Sequence, residues 1–218
     1  MNKKYKRKES VMMTNLLFWF QVIMAWFYTV PQVVAIIRGK TEGLNLAMYV
    51  IFMAYIIFSF WLSVSSYRLK KERTRKQVII IFVQWMVCIC LILLVGISKI
   101  TWSKGDTIVT FIVVTLSLGT ILKYRGIKDA YSKALINVWC KSIPQLWLAY
   151  TIFLAKGGDG LPLMTLIAGH LTSTPRLIQV IISGRQGWDR PTRALLIGES
   201  ANVITWIIVT FVWLYFSK

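Results

Sequence analysis

Seven long apolar runs separated by short polar connectors make up nearly the whole chain. They cover about 15–37, 44–66, 77–98, 107–122, 133–155, 161–183 and 194–216, against the roughly 18 or more apolar residues that cross the hydrocarbon layer as a helix. The fourth run is the shortest. The pattern predicts an all-α membrane protein with seven transmembrane helices.

Composition narrows the picture. Of 218 residues, 56% are hydrophobic and 14% aromatic, too apolar for an ordinary soluble domain. The runs leave no room for a separate soluble catalytic domain. Met1–Ser10 is basic, but the apolar stretch after it is too long for a signal peptide and no small-residue cleavage site follows, so it reads as a retained first span. The formal charge of +18 suggests nucleic acid until the positions are considered. The basic residues fall in connectors, where membrane topology puts them, and no nucleic-acid partner is expected. One side of the membrane would hold Lys3–Lys8 and the basic residues of 68–76, 123–133 and 185–193; the other has only Arg38, Lys40, Lys99, Lys104, Lys156 and Lys218. The positive-inside rule then places the N-terminus in the cytoplasm and the C-terminus outside. Short connectors and missing organellar signals point to a prokaryotic plasma membrane. Cys88, Cys90 and Cys140 lie inside apolar runs and read as small fillers, without disulfide or metal-ligand spacing.

An internal repeat organises the runs. Thr29-Val30-Pro31-Gln32 is followed by Lys40-Thr41-Glu42-Gly43-Leu44, and Ser142-Ile143-Pro144-Gln145 by Lys156-Gly157-Gly158-Asp159-Gly160-Leu161. In each copy a Pro-Gln pair sits inside a span, a short Lys/acid/Gly turn follows, and the next span opens with Gly-Leu. The copies start at spans one and five, so both halves point the same way, as parallel repeats about an axis normal to the membrane. This divides the chain into a first three-helix bundle at 11–100, a linker helix at 105–125 with only hydroxyls as polar groups in its span, and a second three-helix bundle at 133–216.

The two Pro-Gln motifs and the Lys-Thr-Glu-Gly-Leu turn resemble the PQ-loop superfamily, which includes the SWEET sugar transporters, the cystinosin-type amino-acid exporters and the KDEL receptor. The resemblance covers spans one and two and spans five and six; spans three and seven match by position. It implies two three-helix bundles around a central solute path that moves by alternating access. Two departures stand out: SWEET carriers are placed with the N-terminus outside, and the second turn here is longer, with Asp159 in place of Glu. By the same resemblance an Asn on the last helix of a bundle, with aromatics nearby, binds solute. Asn202 matches in the second half, whereas Gln84-Trp85 occupies that depth in the first.

Helical spacing supplies the other candidates. Proline inside a helix removes a backbone hydrogen bond and kinks the chain, so Pro31-Gln32 and Pro144-Gln145 are each a hinge or a static kink. Asn137, Lys141 and Gln145 share one face of span five; Glu199, Asn202 and Trp206 follow one another on span seven; Gln21, Tyr28 and Gln32 share a face of span one. Such groups face the bundle interior, as a solute cavity or as interhelical glue. The candidate solute-binding set is Gln84, Trp85, Asn137, His170, Asn202 and Trp206. His170, the only histidine, is a proton switch or a neutral hydrogen-bond partner.

Lys141, Arg176 and Glu199 are the only strongly ionisable residues inside spans, each roughly 8–12 Å from the cytoplasmic side at 1.5 Å per residue. Glu199 between the two cations would form a gate or coupling site, or a static ion cluster with snorkelling ends. No catalytic constellation, metal site or cofactor motif is present in the sequence, so an enzyme is not expected. The reading that fits is a secondary transporter or facilitator for a small polar solute (a sugar, amino acid or vitamin-like molecule) in the lipid bilayer, as a single chain or a homo-oligomer. The alternative is a PQ-loop-type ligand-binding receptor or membrane interaction protein without transport.

Overall fold

A computed structural model of the protein describes the backbone of residues 3–69, 73–124, 126, 129–184 and 187–216, and side-chain surroundings for most of these from residue 15 onward. All seven apolar runs are helical: α1 (Lys3–Ile37), α2 (Leu46–Leu69), α3 (Arg73–Gly96), α4 (Lys104–Lys123), α5 (Ala130–Ala155), α6 (Leu163–Gly184) and α7 (Arg190–Phe216). Helix α1 starts well before the apolar run that predicts it, because its basic leader is helical too.

Five of these helices are long and apolar enough to cross a membrane: α1, α2, α3, α4 and α7. Helices α5 and α6, of 26 and 22 residues, have the length. Their polar content separates them from the other five: Asn137, Lys141, Ser142 and Gln145 lie in α5, and His170, Ser173 and Arg176 in α6. Outward-facing apolar side chains such as Leu94, Phe111, Leu122 and Phe211 are more than half exposed, a surface suited to an apolar environment.

The third helix of each half lies between the first two: α3 packs on α1 and α2, and α7 packs on α5 and α6. The halves meet through α1 with α6 and through α2 with α5. One continuous core draws on both, including Ile36, Tyr49, Ile89 and Ile92 from the first half and Leu148, Ile152, Leu161 and Val209 from the second. Between helices in an apolar medium, close packing and interhelical hydrogen bonds hold the assembly, because lipid is as apolar as leucine.

Helix α4 lies against α2 and α5. Its start is a capping box: Ser103 Oγ accepts from Asp106 N–H, and an Asp106 carboxylate oxygen accepts from Ser103 N–H. Asp106 also accepts from Trp147 Nε1 of α5 at 2.8 Å, and near the opposite end Trp139 Nε1 donates to Thr120 Oγ1 at 3.0 Å. Two indole bonds thus fix α4 along α5. The expectation that α4 is polar only through hydroxyls missed Asp106, which lies just before the predicted start of that run.

Candidate functional site

The two repeat turns interlock at one end of the molecule. Gly160 N–H donates to Glu42 O, and Gln32 Nε2 of α1 donates to Gly160 O at 2.8 Å. In the opposite direction, Thr151 Oγ1 of α5 donates to Gly43 O at 2.6 Å. Thr165 Oγ1 of α6 adds a bond to Tyr28 O at 3.1 Å. A β-carbon on Gly160 would stand 2.5 Å from Glu42 O, and one on Gly43, whose φ is +73°, would stand 2.8 Å from Ile152 Cγ1. Both glycines are therefore required by close backbone approach, and Gly43 also by its left-handed conformation.

Away from this latch the halves separate around a cleft. Its empty volume, counted out to the open mouth, is about 1040 Å3. Its floor is aromatic: Tyr28 stands between Trp85 of α3 and Trp206 of α7, with ring centroids 5.6 and 6.4 Å away, both edge-on. Phe52 continues this surface against Trp85. The lining then runs outward past Gln145 and Asn202 to Lys141, Arg176 and Glu199 on one side and to Gln21 and Val78 on the other. The mouth therefore lies toward the α2–α3 and α6–α7 connectors, opposite the latch.

The charged side chains converge as a group. Arg176 Nε lies 3.1 Å from Glu199 Oε1; the Glu199 side chain is 2% exposed and that of Arg176 44%. Glu199 Oε2 is buried with no hydrogen-bond partner. Lys141 Nζ sits 5.2 Å above the Tyr55 ring. Beside them Gln145 Nε2 donates to Asn202 Oδ1 at 3.0 Å, and Thr205 Oγ1 donates to Gln145 Oε1.

The sequence-predicted residues divide accordingly. Trp85, Asn202 and Trp206 line the cleft, with Lys141, Arg176 and Glu199 nearer its mouth and Pro144 and Gln145 on its wall. Gln84, Asn137 and His170 lie elsewhere. Gln84 Nε2 donates to Val22 O, which ties α3 to α1. Asn137 is buried against Gly198 at the α5–α7 contact. His170 Nε2 bonds Thr210 Oγ1 at 2.6 Å, behind Trp206. Gln32 belongs to the latch, and neither it nor Pro31 is among the residues lining the cleft. Sequence reasoning passed over Phe52, Tyr55, Phe82 and Thr172, which line the cleft, Thr205, which supports it through Gln145, and Thr151, which belongs to the latch. Phe52 and Tyr55 sit in a uniformly apolar run, so no local signal marked them.

Among the described residues no group of three His, Cys, Asp or Glu side chains could hold a metal ion. No family model, curated protein or solved structure matches the chain.

Proposed function

We propose that the protein is a secondary carrier or facilitator that moves a small polar solute across a membrane by alternating access. In this reading all seven helices span the bilayer as two parallel three-helix bundles, 11–100 and 133–216, joined by α4, in the manner of the PQ-loop and SWEET-like carriers the sequence resembles. Helices α5 and α6 cross despite their polarity because their polar faces turn to the partner half and the cleft instead of lipid. The observation that carries the proposal is a cleft between the two halves, lined by both, latched at one end and open at the other.

Alternating access needs both ends of that path to exchange states. With the N-terminus cytoplasmic, the cleft opens inward and the Gln32–Gly160 and Thr151–Gly43 latch seals the outer side of a prokaryotic plasma membrane. Pro31 and Pro144 sit where each half can bend as the latch releases, because each removes a helix hydrogen bond. Arg176 and Glu199, near the mouth, are placed to close the inner side in the opposite state.

The test is uptake into proteoliposomes of labelled sugars, amino acids, nucleosides, vitamins and organic acids, with Trp206→Ala as the cleft variant. Saturable uptake by the wild-type chain that Trp206→Ala reduces by about tenfold or more is the expected result. Folded protein that moves no solute class would overturn the carrier reading.

A further inference from the structure

We propose that the cleft selects a small organic monocarboxylate, with the carboxylate held by Arg176 and Lys141 and the apolar body laid on the Trp85–Tyr28–Trp206 floor. The proposal rests on the cleft being the solute site of the carrier described above; its chemistry follows from the charges and surfaces that line it.

Among the described residues, three lining side chains carry formal charge, two cationic and one anionic: Lys141, Arg176 and Glu199. Glu199 engages Arg176 through Nε. Arginine offers five N–H donors in a planar fork, so the terminal amino groups remain available to a second acceptor. Their side chain is the exposed member of the pair, at 44%, while the carboxylate behind it is almost fully buried. Lys141 rests on the Tyr55 ring and makes no salt bridge among the described residues. The described lining residues therefore carry one positive charge in excess.

That imbalance is tolerable while the mouth is open to water. It becomes costly when the cleft closes and solvent leaves, because an unpaired charge at membrane depth is strongly disfavoured. A solute bearing one negative charge restores neutrality at that moment. A neutral solute leaves the excess in place, a cation adds to it, and a dianion would oppose the buried, unpartnered Glu199 oxygen. The guanidinium fork matches a carboxylate with two parallel hydrogen bonds, and such charge-assisted bonds are roughly twice as strong as neutral ones. Phe52, Phe82, Trp85 and Trp206 form an apolar surface deeper in the same cleft, which suits a hydrocarbon or aromatic body.

Three probes with one body separate the charges: phenylacetate, phenylacetamide and phenethylamine. Each is tested on the purified full chain by thermal stabilisation, and on proteoliposomes by saturable uptake above protein-free vesicles. Phenylacetate is expected to stabilise the protein at concentrations about tenfold or more below those the amide needs, with no effect from the amine. Lys141→Met and Arg176→Gln should each weaken phenylacetate by about tenfold, while Lys141→Arg retains it and separates charge from folding. Glu199→Gln, which adds positive balance, should retain or tighten it. Amide or amine binding equal to that of phenylacetate, or Lys141→Met and Arg176→Gln that bind it normally, would overturn the inference. Uptake of a neutral or cationic solute without phenylacetate binding would overturn it and leave the carrier reading standing. Charge-selective binding of phenylacetate with no uptake of any solute would uphold it and sink the carrier.

Discussion

Gln32 and Gln145 hold the same place in the two repeats, each directly after the proline of its first helix, yet they do different work. Gln32 reaches out of its own half to Gly160 O in the opposite turn. Gln145 stays within its half and is held between Asn202 and Thr205 of α7. Three residues before each proline the contrast recurs. Tyr28 lies between two tryptophans, and Lys141 carries a charge into the cleft. The glutamine of the first Pro-Gln pair thus serves the clamp between halves, and that of the second the polar wall of the cleft. The clamp is nevertheless two-sided, because Thr151 of α5 provides the return bond to Gly43 O.

The largest expected effect tests how tight the latch is. Gly160→Ala would drive a methyl into backbone at 2.5 Å, whereas Gly39, with φ of +78°, has open space around it. Gly160→Ala should cost about 1–3 kcal/mol and lower the melting temperature in detergent, against about 1–2 kcal/mol of backbone strain for Gly39→Ala. The former should also raise access from the latched end, read as labelling of an introduced cysteine at Tyr28. Equal melting temperatures and equal labelling would show that the turns do not interlock.

A smaller effect separates the two glutamines. Gln32→Leu and Gln145→Leu should each cost about 1–2 kcal/mol by leaving buried partners unpaired. Only Gln145→Leu should weaken solute binding in the open cleft. Because the two side chains share no partner, the double variant should equal the sum of the singles to within about 0.5 kcal/mol in thermal unfolding. A larger coupling would break the division of labour.

The smallest effect distinguishes the two ends by pH. The bonds across the latch use amide, hydroxyl and backbone groups that do not titrate between neutral pH and the carboxylate range. At the opposite end, in the α6–α7 connector, Asp189 accepts from the Thr192 side chain and, through Oδ1, from Thr192 N–H, which caps α7; these two bonds hold the carboxyl below its ordinary value. A lowered pKa contributes stability above the unfolded value and loses it as pH falls through the folded one. Acidification should therefore speed amide exchange at Thr192 and leave the latch unchanged, and Asp189→Asn should remove that response.

Much of the frame was legible along the chain. The seven apolar runs became seven helices, with ends shifted by a few residues except at α1, because helix length and apolar content are local properties of consecutive residues. The repeated Pro-Gln and Gly-rich turns marked both strands of the latch, although their mutual contact was not visible. Ser103 and Asp106 carried a capping signal that the apolar count overlooked.

The cleft was harder to read. Periodicity placed Asn137, Lys141 and Gln145 on one face, but only Lys141 and Gln145 line the cleft, because the close α5–α7 contact at Gly198 takes up Asn137. Glu199 was expected between two cations and paired with one or both; it pairs directly with Arg176 and lies within the field of Lys141, whose Nζ also stands over Tyr55, a residue nothing in the apolar run of α2 distinguished. The sequence by itself determined which segments are helical, how the repeat is organised and which charges lie inside the helices, since these depend on neighbours along the chain. Which polar groups face the cleft, which are spent on holding helices together and which end is latched were decided only by tertiary structure, because a hydrogen bond or ion pair takes its partner from whatever the opposing helix brings within about 3 Å.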